Sequence, residues 1–586
     1  MRLPSTTILC ALLAFALFFS GLGAIGLIGP DEPRYAQVAR EMQRSGDYIT
    51  PRLFGAAWFE KPPLYYWLAA LSFQAGVNEV TARLPSATFA VAFLGVWYWF
   101  ARRRFEQRTA ILGCLLLAST PGWIGFGRAA AMDMLLSTTL GAALVFLALW
   151  FWEEKRKFLY GFSILLGVAT LAKGPLAVGL AGLVMLAYAA TFREWRTLKP
   201  MLWSWCPVLF AAVALPWYVL CYAHNGYPFI QEFIIRHNWE RLVSAQELGH
   251  GQPFWFYVPI LAAGIFPWTP LLVLPVAQMV GGGLRQILGN RQRAFLFYWT
   301  TLPFAFFSFS ENKLPGYLLP ILPPLTLWIA SLLEEGPPAK VSGDRERGGS
   351  LQPARSLTVA ARIAASNDRE QYGFVQRAAP WLVSLAALLL LSLPPLLGIL
   401  PESLATGLRQ ALAAFQPDSP LTRDQMGSLD PDMQMFGGEV HWGVWVTLAG
   451  LVVVSIYLVI QKRLLDACLA ILLGVALTTL AITQFLAPSI TRIASMQRYA
   501  GRIEQLGVPI ERLGVQSIHR NQVFGLSFYF DRKLPEWSPD GGPANVSFVI
   551  TKAEVYLEGA RSLILFPAPG LRVWELERQE GESRAP

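Results

Sequence analysis

Residues 7–28, TILCALLAFALFFSGLGAIGLI, form an apolar run that ends at Gly29-Pro30 and the charged knot Asp31-Glu32-Pro33-Arg34-Tyr35. A helix of about 20 apolar residues crosses the hydrocarbon core of a bilayer. A secretory signal would have a shorter apolar region and a small-residue cleavage site. Residues 7–28 therefore read as a first transmembrane helix, with two carboxylates and an arginine at its outer end.

Outward from this run, apolar blocks recur at residues 82–101, 109–127, 134–152, 158–172, 175–192, 202–222, 254–279, 294–309, 318–334, 379–400, 442–460 and 465–487. They predict about 13 transmembrane helices. The composition agrees: 54% of the 586 residues are hydrophobic and 15% charged, where a soluble domain carries roughly a quarter charged. Mean hydropathy is +0.41. Lys and Arg gather in alternate loops: Arg102–Arg104, Lys155–Lys157, Arg193/Arg196/Lys199, Arg285/Arg291/Arg293, the stretch 335–378 and Lys462–Arg463. The positive-inside rule puts these loops and the N-terminus in the cytoplasm. The opposite face then receives residues 29–81, 128–133, 223–253, 310–317, 401–441 and 488–586.

The expected organisation is a catalytic transmembrane domain at 1–334 with outer loops 29–81 and 223–253. A basic cytoplasmic linker at 335–378 follows, then transmembrane helices at 379–487 and a soluble outer domain at 488–586. In that last part Ile490–Gln505 reads as a helix, and Val515–Ile518, Val546–Ile550 and Leu571–Trp574 as strands, giving a small α/β domain. Tyr35–Arg44 reads as an amphipathic helix lying along the membrane surface. The fold class is thus all-α polytopic membrane, with a C-terminal α/β domain.

The net charge of +9 is a topology signal and makes anionic membrane lipid the natural partner. Basic loops without a polar, aromatic-rich domain argue against nucleic acid. Cys10, Cys114, Cys206, Cys221 and Cys468 lie in or beside apolar blocks with no CxxC spacing. Neither a zinc cluster nor a disulfide framework is expected.

Five polar clusters fall on the outer face. Asp31–Tyr35 is the first; its plain reading is a helix start with Asp31 as cap. In the second, Trp58-Phe-Glu60-Lys61-Pro-Pro63, Lys61 suits a phosphate and Glu60 a cation or amine. The plain reading is charges flanking a proline-defined helix start. Arg128…Asp133 is the third, where a carboxylate at a helix N-terminus also suits the dipole. The loop 223–253 holds His224, His237, Arg241, Glu247 and His250. Glu60 and His250 are the only metal-ligand candidates, at spacings matching no known ligand motif. In the fifth, Ser310…Lys313…Tyr317…Pro320, Lys313 and Tyr317 suit a phosphate or an interfacial anchor. Anchoring and capping would distribute such clusters over both faces, whereas a single composite pocket explains their confinement to one.

The runs Asp31-Glu-Pro-Arg-Tyr35, Glu60-Lys-Pro-Pro63, Arg128…Asp133, Lys173-Gly-Pro175 and Lys313…Tyr317…Pro320 resemble the protein mannosyltransferase-like glycosyltransferases of the C-type membrane fold. Within that family the likeness is to bacterial aminoarabinose transferases that modify lipid A. It covers most of the first 335 residues and extends beyond them only in layout. The resemblance implies a site facing the periplasm from a bacterial inner membrane. The donor it implies is a sugar on undecaprenyl phosphate, 4-amino-4-deoxy-L-arabinose, and the acceptor a lipid A phosphate. Asp31 and Asp133 match the two outer-face acidic positions. Lys61 and Tyr35 match positions around the donor phosphate, Tyr317 matches a tyrosine beyond the ninth helix, and Arg241 matches more loosely. Trp58 stands where relatives carry a tyrosine, which puts one hydrogen bond to the lipid phosphate in question.

The chemistry suits these residues. A departing phosphate needs cations such as Lys61 and Arg241, with Tyr317 as donor, where its charge develops. An oxocarbenium-like carbon is stabilised by a carboxylate. An acceptor phosphate is already ionised, while an acceptor hydroxyl would need Asp31 or Asp133 as base. Glu32, Arg34, Glu60, Arg128 and Lys313 complete the expected substrate-binding set. No cofactor is required, and a divalent cation stays open. The alternatives are another polyprenyl-phosphate sugar transferase, with another sugar or a protein or glycan acceptor, and a lipid-linked sugar transporter. Transporters place ionisable groups near the bilayer midplane and often repeat their halves. Here the spans are nearly free of such groups and show no repeat.

Overall fold

The computed structural model describes residues 3–240, 252–310, 313–334, 374, 377–390, 438–539, 543, 545–566 and 570–576. The elements that carry the site are α1 (Leu3–Phe19), α2 (Asp31–Ser45), the hairpin β1–β2 (Arg52–Leu53, Ala56–Ala57), α3 (Leu64–Ser72), α4 (Glu79–Arg104), α5 (Gln107–Ala118), α6 (Pro121–Gly127), α7 (Met132–Glu153), α8 (Arg156–Lys173) and α9 (Leu176–Phe192). Among the described residues five helices are long and apolar enough to cross a bilayer: Glu79–Arg104, Met132–Glu153, Cys206–Asn225, Pro315–Leu333 and Leu464–Gln484. The α5–α6 pair makes a sixth if counted as one bent span. The protein is polytopic, with shorter apolar helices such as Leu176–Phe192 and Val446–Ile460 beside these.

Three expected spans are corrected. The run 7–28 stops being helical at Phe19, because Gly21 turns the chain at φ +61°. The block 109–127 is two helices bent by 63°; Thr120 caps the second, accepting from Trp123 N at 3.3 Å, with Pro121 in its first turn. The block 254–279 breaks into two shorter apolar helices, Phe254–Gly264 and Thr269–Gln278, with Pro267 between them. Hydropathy weighs apolar content and is blind to glycine and proline punctuation.

Helix α7 is the axis of the bundle, with 94% of its apolar window buried against α4 and α8. At its far end Glu153 gathers Arg103 (2.6 Å), Arg104 (2.7 Å) and Lys155 (3.0 Å). Part of the basic loop charge is therefore paired within the protein. At the near end Glu32 is the joint. Its carboxylate accepts from Arg83 Nε (2.9 Å) and Nη2 (2.6 Å) on α4, from Ala130 N (2.6 Å) just before α7, and from Ile28 N (2.8 Å). Arg83 also donates to the carbonyls of Leu22, Ile25 and Gly26. One buried ion pair thus fixes the entrances of α2 and α7 relative to α4. Arg128 closes the end of α1, donating to Leu17 O (2.7 Å), Ser20 O (2.8 Å) and Gly21 O (3.0 Å).

The C-terminal domain is a four-stranded mixed sheet of order β3-β4-β6-β5, built from β3 (Leu513–Gln516), β4 (Phe548–Lys552), β5 (Ala560–Phe566) and β6 (Leu571–Leu576). Strand β3 pairs with β4 in parallel and the other pairs are antiparallel. Strand β5 was not among the expected strands, and the expected helix 490–505 is two helices, Ala487–Ala494 and Gln497–Gln505. Helix Arg520–Tyr529 docks this domain on α2. Arg40 and Arg44 both pair with Asp531, Arg40 at 2.8 Å. Arg40 also donates to Phe528 O (2.9 Å), and Tyr529 Oη donates to Glu79 (3.0 Å) while accepting from Leu27 N (2.8 Å). Helix α2 therefore does not lie open on a membrane surface: ten of its residues are buried, Arg34, Gln37 and Arg40 among them. All five cysteines are free.

Candidate active site

Two clusters meet at the near end of the bundle. The first is built on α2 and the segment before α3. Helix α2 begins after Pro30 with no side-chain cap, so the Asp31 carboxylate is spent on Arg34, with which it pairs. Arg34 Nη1 lies 3.2 Å from Glu60 Oε2, and Lys61 Nζ lies 3.6 Å from Glu60 Oε1. Asp31 keeps 51% of its side chain exposed while Arg34 keeps 2%. The Arg34 guanidinium also meets three aromatic rings, Tyr35 at 5.1 Å, Trp58 at 5.5 Å and Phe524 at 5.6 Å. Burial pulls the Arg34 pKa down, but Tyr35, Glu60 and Asp31 outweigh it and hold it above its ordinary value. Tyr35 packs against Tyr65 and Tyr66, and burial, reinforced by Asp31 and Glu60, raises its pKa well above the usual phenol value. Tyr35 is therefore a neutral hydrogen-bonding group at neutral pH.

The second cluster joins α7, α8 and the turn before Leu322. Asp133 sits in the first turn of α7 without capping it, and Lys173 Nζ is 2.5 Å from Asp133 Oδ1. The Lys173 ammonium lies over the Tyr317 ring at 4.7 Å. Gly316 makes room for this arrangement, since a Cβ there would stand 2.7 Å from Asp133 Oδ1. Tyr257 fixes the same turn through both the N–H (3.1 Å) and the carbonyl (3.2 Å) of Leu314. Helix α3, which opens just after Lys61, packs against α7 and α8, the helices that carry Asp133 and Lys173.

Of the expected residues, Asp31, Arg34, Tyr35, Trp58, Glu60 and Lys61 come together in the first cluster, and Asp133 and Tyr317 in the second. Glu32 and Arg128 face the scaffold instead: adjacent residues on a helix point about 100° apart, so Glu32 turns inward where Asp31 turns out. Lys313 is buried, donating to Ser310 O (2.5 Å) and Gln252 O (3.0 Å). Arg241, Glu247 and His250 lie outside the described residues. Glu60 sits between two cations, a poor setting for a metal ion. Among the described residues no three His, Cys, Asp or Glu side chains group as metal ligands. Lys173 belongs to the Lys173-Gly-Pro175 motif but not to the expected site set; a lone cation at the end of an apolar helix is its signal in the sequence. Phe524 carried no signal, because its contact spans the chain.

A cavity of about 360 Å3 lies at the joint of Glu32 and Arg83. Leu22, Ile25, Ile124, Phe266, Val475 and Ile482 line it, and Glu32, Arg83 and Arg128 give it a polar edge.

The profile of the dolichyl-phosphate-mannose-protein mannosyltransferase family matches residues 60–219. A protein of Pseudomonas paraeruginosa, named undecaprenyl phosphate-alpha-4-amino-4-deoxy-L-arabinose arabinosyl transferase, is 36% identical over 335 residues, 55% of this chain and 58% of its own length. A second such transferase, from Pseudomonas fluorescens, is 34% identical over 335 residues, 55% of each. The chain thus spans little more than half the length of the curated relatives it matches. Among solved structures, ArnT from Cupriavidus metallidurans bound to undecaprenyl phosphate superposes with a TM-score of 0.71 at 21% identity, covering 99% of both chains. The chain therefore has the fold of ArnT along its length and is similar in sequence, over about half of it, to the aminoarabinose transferases, the resemblance its motifs carry.

Proposed function

We propose that this protein is a glycosyltransferase that moves 4-amino-4-deoxy-L-arabinose from undecaprenyl phosphate to a lipid A phosphate, at the periplasmic face of a bacterial inner membrane. The carrying observation is the half-exposed Asp31, held by buried Arg34, which also meets Glu60 beside Lys61. Carboxylates and cations alternate there at a membrane boundary, as a reaction separating a positive sugar carbon from a negative phosphate requires. The roughly 13 passes expected from hydropathy would be completed by the shorter apolar helices.

In this reading an oxygen of the acceptor phosphate attacks the anomeric carbon from the face opposite the donor phosphate. The bond from that carbon to the donor oxygen breaks, and undecaprenyl phosphate leaves with the electron pair. Lys61 and Lys173 stabilise the charge developing on the leaving phosphate, and Tyr317 orients Lys173. Asp31 stabilises the oxocarbenium character of the sugar and grips its protonated amine. The attacking phosphate is ionised at neutral pH, so no general base is needed, and inversion follows from single displacement. The apolar cavity takes an acyl chain of the acceptor, which brings its phosphate to the boundary beside Asp31.

The test is mass spectrometry of lipid A from cells that make the donor lipid but lack their own transferase, complemented with wild type or Asp31→Asn. A pentosamine increment with wild type, absent in the variant at equal expression, supports both reaction and site. Unmodified lipid A with well-expressed wild type removes this acceptor and sugar.

A further inference from the structure

We propose that Phe524, in the C-terminal domain, is a positioning residue for the reaction: its ring lids Arg34 and so holds Asp31 in register with the reacting sugar. The proposal rests on the function above only in its kinetic consequences. Arg34 is a buried cation whose Nε has no hydrogen-bond partner among the described residues. Two carboxylates, Asp31 and Glu60, pair with it. Aromatic rings then supply the contacts that water would otherwise make. Of the three rings around it, Tyr35 and Trp58 come from the same stretch of chain, and Phe524 alone comes from the C-terminal domain.

Where the lid excludes water, the pairing of Arg34 with Asp31 and Glu60 strengthens. Without it the guanidinium is free to hydrate and to swing toward solvent, and Asp31, already half exposed, follows. Phe524 packs against the core of the helical domain but is not the sole anchor of its own domain. The docking of helix Arg520–Tyr529 is carried by Arg40, Arg44 and Asp531 at its C-terminal end and by the Tyr529–Glu79 bond. Those polar bonds do not involve the ring and remain when it is removed. Arg520, one turn earlier, also lies over the Phe524 ring at 5.6 Å but is exposed, so it serves as an internal reference.

The experiment uses full-length protein in lipid nanodiscs, comparing wild type, Phe524→Ala and Phe524→Tyr. Phenylglyoxal labelling, read by peptide mass spectrometry, reports guanidinium exposure without any need for activity. Arg520 should label in all three proteins, and Arg34 only in Phe524→Ala. With donor lipid and lipid A supplied, Phe524→Ala should lower kcat on the order of 10–100-fold. KM for both lipids should stay within about twofold of wild type, the thermal midpoint should fall by no more than a few degrees, too little to account for the loss of kcat, and Phe524→Tyr should restore kcat. Arg34 protected in Phe524→Ala, or labelled in wild type, overturns the proposal. So does a kcat loss that tracks a lower thermal midpoint or that tyrosine fails to rescue. Transfer absent from wild type, with the labelling pattern as expected, would instead sink the function and leave the lid standing.

Discussion

At the scale of single residues, the neighbours Asp31 and Glu32 divide chemistry from architecture. In the sequence they are indistinguishable, two carboxylates after a membrane span. The helix separates them: Glu32 accepts from Arg83, Ala130 and Ile28 in a buried joint, while Asp31 pairs with Arg34 and keeps half of its side chain exposed. Glu32→Ala leaves the Arg83 charge buried without its partner, so the fold should lose about 3–5 kcal/mol. Thermal unfolding in detergent should show a clearly lower midpoint. Asp31→Asn should lower the midpoint much less, because Arg34 keeps Glu60 as a partner and Asp31 is half exposed, and should abolish transfer. Equal destabilisation by both would mean that Asp31 too is structural. Lys173→Met should behave between them, since it unpairs Asp133 in a partly buried setting and also takes a cation from the leaving phosphate. The two roles separate if donor lipid still binds while transfer is lost.

At the scale of elements, the docking of helix Arg520–Tyr529 on α2 is where reading the sequence fell short. Its contacts join Arg40 and Arg44 to Asp531, a pairing that no local pattern announces. The amphipathic pattern of α2 was legible and its helix is there. What it could not reveal is that the polar face is covered by a domain and not by water. The same limit applies to the broken spans: apolar content was read correctly, whereas the bend at Pro121 needed backbone information. Burial works to raise the Asp531 pKa, but hydrogen bonds from Arg44 and Arg40 outweigh it and hold it below its ordinary 3.8. A depressed folded-state pKa means that the stabilisation is fully present above the unfolded value of about 3.8. It is lost as pH falls through the folded value. Hydrogen exchange along α2 should therefore be flat from pH 7 to pH 5, after correction for intrinsic rates. Protection should drop only in stronger acid, and Asp531→Asn should remove that acid step. A step centred near neutral pH would show that another group controls the docking.

At the scale of the whole molecule, the fold creates a cavity that no single element contains, and glycine keeps it open. Two glycines of α6 face opposite constraints. A Cβ at Gly127 would meet the Phe18 ring at 2.6 Å, whereas a Cβ at Gly125, on the cavity wall, would meet nothing within 4 Å. Glycine inside a helix costs roughly 0.5–1 kcal/mol relative to alanine. At Gly127 close packing accounts for that cost, and at Gly125 open space for a ligand does. Gly125→Leu should therefore fold as well as wild type, or slightly better, and fill part of the volume proposed for an acyl chain. Its KM for lipid A should rise by about tenfold or more, the equivalent of losing at least 1.4 kcal/mol of apolar contact, or about two methylenes. KM for the donor lipid should not move. Gly127→Ala, in contrast, should cost about 1–3 kcal/mol of stability through overpacking and leave the acceptor KM of the surviving protein unchanged. Steady-state kinetics on both variants, with donor and acceptor lipids titrated separately, decide the matter. If Gly125→Leu raises the donor KM instead, the cavity belongs to the polyprenyl chain. If it raises neither, the space holds no part of either substrate.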